Sequence, residues 1–345
     1  VRALLLEQGQ PVELHLFRDR ALDPGPRLGD IMAARIAAKS ARRAWLELGD
    51  GQPALIEPAP PQPEGARLLV EIIREAIPEP GGVKSAKARV AEPEAVPLTV
   101  DPLQRWLASL GQAEIVVTAP SAAAALAGLP QRLTVDPART LDAALPDDPL
   151  DWLTDPVAFP GGTLTLERTA IGLVIDINGE GDPLALDISA ARACARLLRL
   201  AQVAGSVTID FLGLGSKVER QQVADAFDAA SAADPRAFER TAINGFGHMQ
   251  VVRSRQAPAL FDQLCGTQRA APSSLTAALA ALRAVTRSAG VGPRQLRVVP
   301  AVAALLEAPA WRAILGQVER QVGAPVAVVA DFSAPRYGLV HVAPR

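Results

Sequence analysis

Aromatic residues are scarce in this chain: Phe, Trp and Tyr together make up 4% of its 345 residues. Its interiors must therefore be aliphatic, packed through Leu, Val, Ile and Ala rather than through rings. Cysteine is rarer still. Cys194 and Cys265 lie far apart and form no CxxC pair, which argues against a disulfide framework and a cysteine-built zinc site. A dominant charge is also missing, since 35 basic against 37 acidic residues leave a formal charge of −2. That balance excludes a uniformly basic nucleic-acid binder but not a local basic groove. No apolar run is long enough to span a membrane, and the opening Val1–Glu7 is too short for a signal peptide. The expected setting is soluble and cytoplasmic, with no membrane partner.

What is present is the composition of a globular protein, 49% hydrophobic and 21% charged. The length calls for two to four modules. Short runs of alternating apolar and polar residues fill the first 92 positions, broken by Pro and Gly turns. They predict a hairpin over Arg2–Arg18 and strands over Asp30–Lys39, Arg43–Leu48, Pro53–Glu57, Arg67–Arg74 and Val83–Val90. Five such strands suit a small antiparallel barrel. After a Glu- and Pro-rich linker the texture becomes α/β, with helices over Asp101–Leu110 and Ser121–Leu126 between short strands. The best-patterned stretch predicts strands at Thr163–Arg168 and Ile171–Ile177, a helix over Leu184–Val203 and a strand at Val207–Phe211. A helix over Ser216–Ala230 and strands at Thr241–Ile243 and His248–Arg253 complete it. Helices and strands alternate again to the end of the chain.

The chemistry concentrates in Gly172-Leu-Val-Ile-Asp-Ile-Asn178 and Ser206-Val-Thr-Ile-Asp-Phe211. Each strand is apolar until a carboxylate appears near its C-terminal end. The helix between them makes a crossover, so the two strands run parallel, and Asp176 and Asp210 project from the same end of one sheet. Open α/β sheets place their ligands at that end. Asn178, two residues beyond Asp176, shares its face. Two carboxylates in a cleft repel unless a proton or a cation intervenes. An all-oxygen set points to Mg²⁺ or Mn²⁺. The plainer alternative is that each Asp merely caps the turn after its strand, and the pattern by itself leaves both open.

The block from Phe159 to Arg255 resembles the catalytic core of the RNase E/G family of bacterial endoribonucleases. The likeness rests on Phe159-Pro-Gly-Gly-Thr-Leu, Leu173-Val-Ile-Asp-Ile-Asn178, Ala195-Arg-Leu-Leu-Arg-Leu200, Gly205-Ser-Val-Thr-Ile-Asp-Phe211 and Phe246-Gly, followed by Arg253 and Arg255. The resemblance implies a catalytic Mg²⁺ or Mn²⁺ held by Asp176 and Asp210 and supported by Asn178. The implied reaction is hydrolysis of single-stranded RNA to 5′-phosphate and 3′-hydroxyl ends. It further implies an α+β multidomain chain. Residues 1–27 and 93–158 would form an RNase H-like subdomain, 28–92 an inserted OB-type barrel, 159–262 a DNase I-like catalytic subdomain and 263–345 a small C-terminal domain. Trp45, on the strand that carries a stacking aromatic in the family, and Lys84 would touch RNA from the barrel; for Trp45 a place in the barrel core is the alternative. Arg253 and Arg255, of equal parity, would face phosphates beside the catalytic block.

The chain also departs from the family. The distance from barrel to catalytic strands is short, as though a 5′-end sensor were missing. The zinc-linking CPxC motif is reduced to Leu264-Cys-Gly-Thr267, so no zinc is expected, and the protein would be a monomer or a homodimer not linked by zinc. The loop after Asn178 is short, and His-Met-Gln-Val-Val-Arg follows Phe246-Gly where the family has a Glu and a small hydroxylated residue. A rival expectation is therefore an RNA-binding or assembly factor that keeps the fold with little or no catalysis.

Overall fold

The computed structural model describes the chain except for Asp50, residues 119–122, Ala125, Pro146, Asp147 and residues 343–345. The helix expected over Ser121–Leu126 falls largely outside the described residues, as does Asp50 of the Gly-Asp-Gly turn. Among the described residues no helix is long and apolar enough to cross a membrane.

Strands β1 (Arg2–Glu7) and β2 (Gln10–Leu16) form the expected hairpin. A closed barrel follows, built from β3 (Ile31–Lys39), β4 (Ala44–Leu48), β5 (Pro53–Ile56), β6 (Arg67–Arg74) and a later strand, Ala86–Val90. Its core is Ile36, Leu46, Leu48, Ile56, Val70 and Ile72, aliphatic as the composition requires. Full closure leaves no open sheet edge for another chain to join. The strand expected over Val83–Val90 is broken at Ser85, whose carbonyl accepts a 2.6 Å bond from Arg74. A small hairpin, β7 (Ile77–Glu79) and β8 (Gly82–Lys84), precedes the break, and β9 is the barrel strand Ala86–Val90.

Helix α1 (Pro102–Ser109) begins at Asp101, whose carboxylate accepts from the amides of Leu103 and Gln104. Strands β10 (Ile115–Val117) and β11 (Leu133–Val135) pair in parallel as a separate two-stranded sheet. The N-terminal hairpin does not join them; Leu14 lies in the central core, and Arg199 ties Glu7 and Glu13 to the long central helix.

The central unit is a six-stranded sheet in the order β12-β13-β14-β15-β17-β16. Its strands are β12 (Val157–Phe159), β13 (Gly162–Arg168), β14 (Leu173–Gly179), β15 (Gly205–Asp210), β16 (Phe238–Arg240) and β17 (His248–Arg253). Two helices, α2 (Pro183–Leu200) and α3 (Lys217–Ser231), cover one face. On α2 the stripe Leu186, Ala190, Cys194, Leu197 and Leu198 recurs at helical spacing and packs on Ile175, Ile177 and Ile209. Full burial of each such Ile or Leu contributes roughly 1.5–3 kcal/mol. The small Ala and Cys residues let helix and sheet approach closely. The strand expected at Thr241–Ile243 runs instead over Phe238–Arg240. There Phe238 meets Phe227 edge-on at 5.8 Å, and Arg240 is held by Asp228.

Beyond it, α4 (Leu260–Cys265) leads into a small domain. There α5 (Ser274–Arg287), α6 (Pro300–Glu307) and α7 (Arg312–Val322) pack on a three-stranded sheet, β19-β18-β20. The strands are β18 (Arg294–Val298), β19 (Val326–Ala330) and β20 (Leu339–Val342). Cys194 and Cys265 are both buried, and burial pushes both thiols up from their ordinary range.

Candidate active site on the open face of the central sheet

Period-two alternation sends Leu173, Ile175 and Ile177 of β14 into the core. Asp176 and Asn178 therefore stand on the opposite, uncovered face. The parallel register of β14 with β15 places Asp176 directly opposite Asp210. Adjacent strands put such partners about 5 Å apart. The same register extends outward, so that Thr165, Asp176, Asp210 and His248 form one row across four strands. Gly162 completes the β13 end of this arrangement, because a Cβ there would collide with the carbonyl of Asn178.

Among the described residues each acid has one polar side-chain partner. Asn178 Nδ2 donates a 2.7 Å hydrogen bond to Asp176 Oδ2, and His248 Nε2 lies 3.2 Å from Asp210 Oδ1. The remaining oxygens, Asp176 Oδ1 and Asp210 Oδ2, have no protein partner among the described residues. Among the described residues no arginine or lysine pairs with either acid, and both side chains reach solvent. Among the described residues no three of His, Cys, Asp and Glu are grouped to hold a metal ion by themselves. Two free carboxylate oxygens side by side fit Mg²⁺ or Mn²⁺, which bind through one or two carboxylates and keep several waters. They do not fit zinc, which takes a closed set of nitrogen or sulfur ligands in structural sites.

Below the sheet, Asp187 on α2 is 1% exposed. One of its oxygens accepts from the amide of Leu212, two residues beyond Asp210, and the other has no partner. Burial pushes this carboxyl up to about 6, the Leu212 hydrogen bond only partly opposing the shift. Asp187 thus anchors the loop that leaves Asp210. Its signal in the sequence was a single acid within the apolar stripe of a helix.

The basic residues expected to meet RNA are placed differently from the acids. Arg253 lies five residues from His248 and so on the opposite, covered face. It is 2% exposed, ion-paired to Asp234 at 2.7 Å and bonded to the carbonyl of Val203. It cannot line the open face with Arg255 as their parity suggested, because β17 ends at Arg253 and the alternation ends with it. Arg255 instead spans Glu79 of the β7–β8 hairpin and Asp262 of α4. Lys84 reaches the same Glu79 at 2.8 Å, so Lys84 and Arg255 converge on one carboxylate at the junction of barrel and central sheet. That junction, at the starting ends of β14 and β15, is remote from the two aspartates. Trp45 projects outward from β4 between the buried Ala44 and Leu46, and 46% of it is exposed. The core alternative for this residue is thereby removed.

Paired acids on adjacent parallel strands stand here at the carboxyl ends and open to solvent, where open α/β sheets place their ligands. Comparison with known proteins falls on the same region: residues 153–256 match the profile of the Ribonuclease E/G family. A stretch of 111 residues is 26% identical to the chloroplastic Ribonuclease E/G-like protein of Arabidopsis thaliana, covering 29% of this chain and 11% of that protein. Another match of 111 residues is 28% identical to Ribonuclease E of Nostoc sp., covering 30% of this chain and 16% of that protein. The matched part therefore spans well under a fifth of either relative. The likeness to the Ribonuclease E/G family therefore lies in this central unit, which contains both aspartates.

Proposed function

We propose that the protein is a metal-dependent endoribonuclease that hydrolyses single-stranded RNA to 5′-phosphate and 3′-hydroxyl ends. The observation that carries this reading is the side-by-side register of Asp176 and Asp210 on an uncovered sheet face, each with a free oxygen. Asp176 and Asp210 would hold Mg²⁺ or Mn²⁺, and Asn178 fixes the rotamer of Asp176. When bound, such an ion supplies Lewis acidity that activates water and stabilises charge on a phosphodiester under in-line attack. Among the described residues, the strands of this face carry Glu167, Glu239 and the two aspartates as acids and no unpaired cation. Without a cation it would repel RNA. An extended strand could run from Trp45 on the barrel, where a base stacks on an exposed ring, across the sheet to the acids. In this reading residues 1–27 and 93–158 correspond to an RNase H-like subdomain and 159–262 to a DNase I-like one.

A second reading, an RNA-binding or assembly factor with weak or no catalysis, is favoured by one observation. Arg253 and Arg255 are both consumed by internal ion pairs, which leaves few cations near the acids to grip phosphates. The test is incubation of a single-stranded oligoribonucleotide with Mg²⁺ or Mn²⁺ against an EDTA control, with the product ends identified by mass. Cleavage that needs the metal and leaves 5′-phosphates supports the enzyme. Binding without cleavage on several substrates supports the second reading.

A further inference from the structure

Thirteen aromatic residues serve the whole chain, and most are buried or half-buried: Trp152 packs against Phe261, Phe227 against Phe238, and Trp106 against Phe17. Phe246 is an exception. It is 84% exposed, in the turn that leads into β17 and two residues ahead of His248.

The turn is built rather than loose. The side-chain oxygen of Asn244 accepts from the amides of Phe246 at 2.8 Å and His248 at 3.1 Å. Gly247 has φ +90°, and a Cβ there would strike the carbonyl of Phe211. Its own carbonyl accepts from the amide of Phe211, the residue after Asp210. These bonds pin the turn to the end of β15 and present the Phe246 ring to water beside the acid pair. Exposing a ring that size forgoes the roughly 1.5–3 kcal/mol its burial would contribute. A rigid turn that holds such a ring in water calls for a planar partner.

We propose that Phe246 is a base-stacking platform that positions the nucleotide next to the bond to be cut. The proposal rests on the endoribonuclease reading for its ligand, single-stranded RNA. Stacking on a phenyl face requires no particular base, so it orients the chain without imposing a sequence. It also supplies, by a neutral contact, some of the hold that Arg253 and Arg255 cannot give. Phe246 is here a positioning residue; the chemistry stays with the acids.

The experiment uses the full chain and a short oligoribonucleotide carrying single 2-aminopurines at successive positions. Binding is followed in EDTA by anisotropy and 2-aminopurine quenching, and cleavage separately with Mg²⁺. The unaltered protein should quench the fluorophore at one position, the one adjoining the cut. Phe246→Ala should abolish that quenching and weaken binding roughly tenfold, while Phe246→Trp should retain both. In cleavage, Phe246→Ala should raise KM more than it lowers kcat. Equal quenching and affinity in Phe246→Ala, or no RNA binding by the unaltered protein, would overturn the proposal. Position-specific quenching without cleavage would overturn the nuclease reading alone and leave the platform standing.

Discussion

The two ends of the central sheet carry charge in opposite ways. At the starting ends of β14 and β15, Asp262 lies between Arg168 and Arg255, each at 3.0 Å, and Glu79 takes Arg255 and Lys84. At the finishing ends, Asp176 and Asp210 face each other with, among the described residues, only an amide and an imidazole for company. One end has matched its acids with cations, and the other has left two acids together in water. A protein can keep an unmatched pair only where the repulsion is screened or put to use. The difference separates structural charge from charge available to a ligand.

The sharpest way to break this contrast is at the unmatched end. Asp176→Asn or Asp210→Asn should lower metal-dependent cleavage at least about a thousandfold, given the several kcal/mol a metal site supplies to the transition state. Neither change should lower the melting temperature, because neither acid holds the fold together. The matched end should respond in reverse. Asp262→Ala leaves the buried guanidinium of Arg168 without its carboxylate and half-buried Arg255 with Glu79 alone, and should cost about 3 kcal/mol in urea denaturation. Its cleavage rate per folded molecule should be unaltered.

Asp187 sharpens the comparison from below. Its carboxyl, ordinarily at 3.8, is pushed up to about 6 in the folded chain, so the folded state prefers it protonated. Its stabilising contribution is complete below about pH 4 and is lost as pH rises through 6. Asp187→Asn should therefore match the unaltered protein near pH 4 and exceed its stability above pH 6 by on the order of 2 kcal/mol. Thermal denaturation across that range checks it. The smallest effect is expected far from both ends. Trp45→Ala should weaken oligoribonucleotide binding by about 1 kcal/mol without changing stability, since the ring already lies half in solvent.

Much of this site was legible in the sequence, because its logic is local. Two strands that alternate until an acid appears, joined by one helix, fix the face, the end and the adjacency of Asp176 and Asp210. The barrel was legible for the same reason, from strand length and turn residues. What escaped was non-local. That Arg255 would reach Glu79 across 176 positions depends on how the hairpin docks, which no periodicity encodes. Arg253 was legible after all: its odd spacing from His248 puts it on the other face, and only comparison with Arg255, beyond the strand end, suggested otherwise. Phe246 and Asp187 each broke a local pattern, one as an aromatic in a polar turn and one as an acid on an apolar helix stripe.

The central claim is that Asp176 and Asp210 share one divalent ion, and Mn²⁺ titration followed by electron paramagnetic resonance tests it without reference to activity. The account predicts one site in the unaltered protein, absent from both Asp176→Asn and Asp210→Asn and competed away by Mg²⁺. Unchanged Mn²⁺ binding in both variants, or none in the unaltered protein, would contradict it.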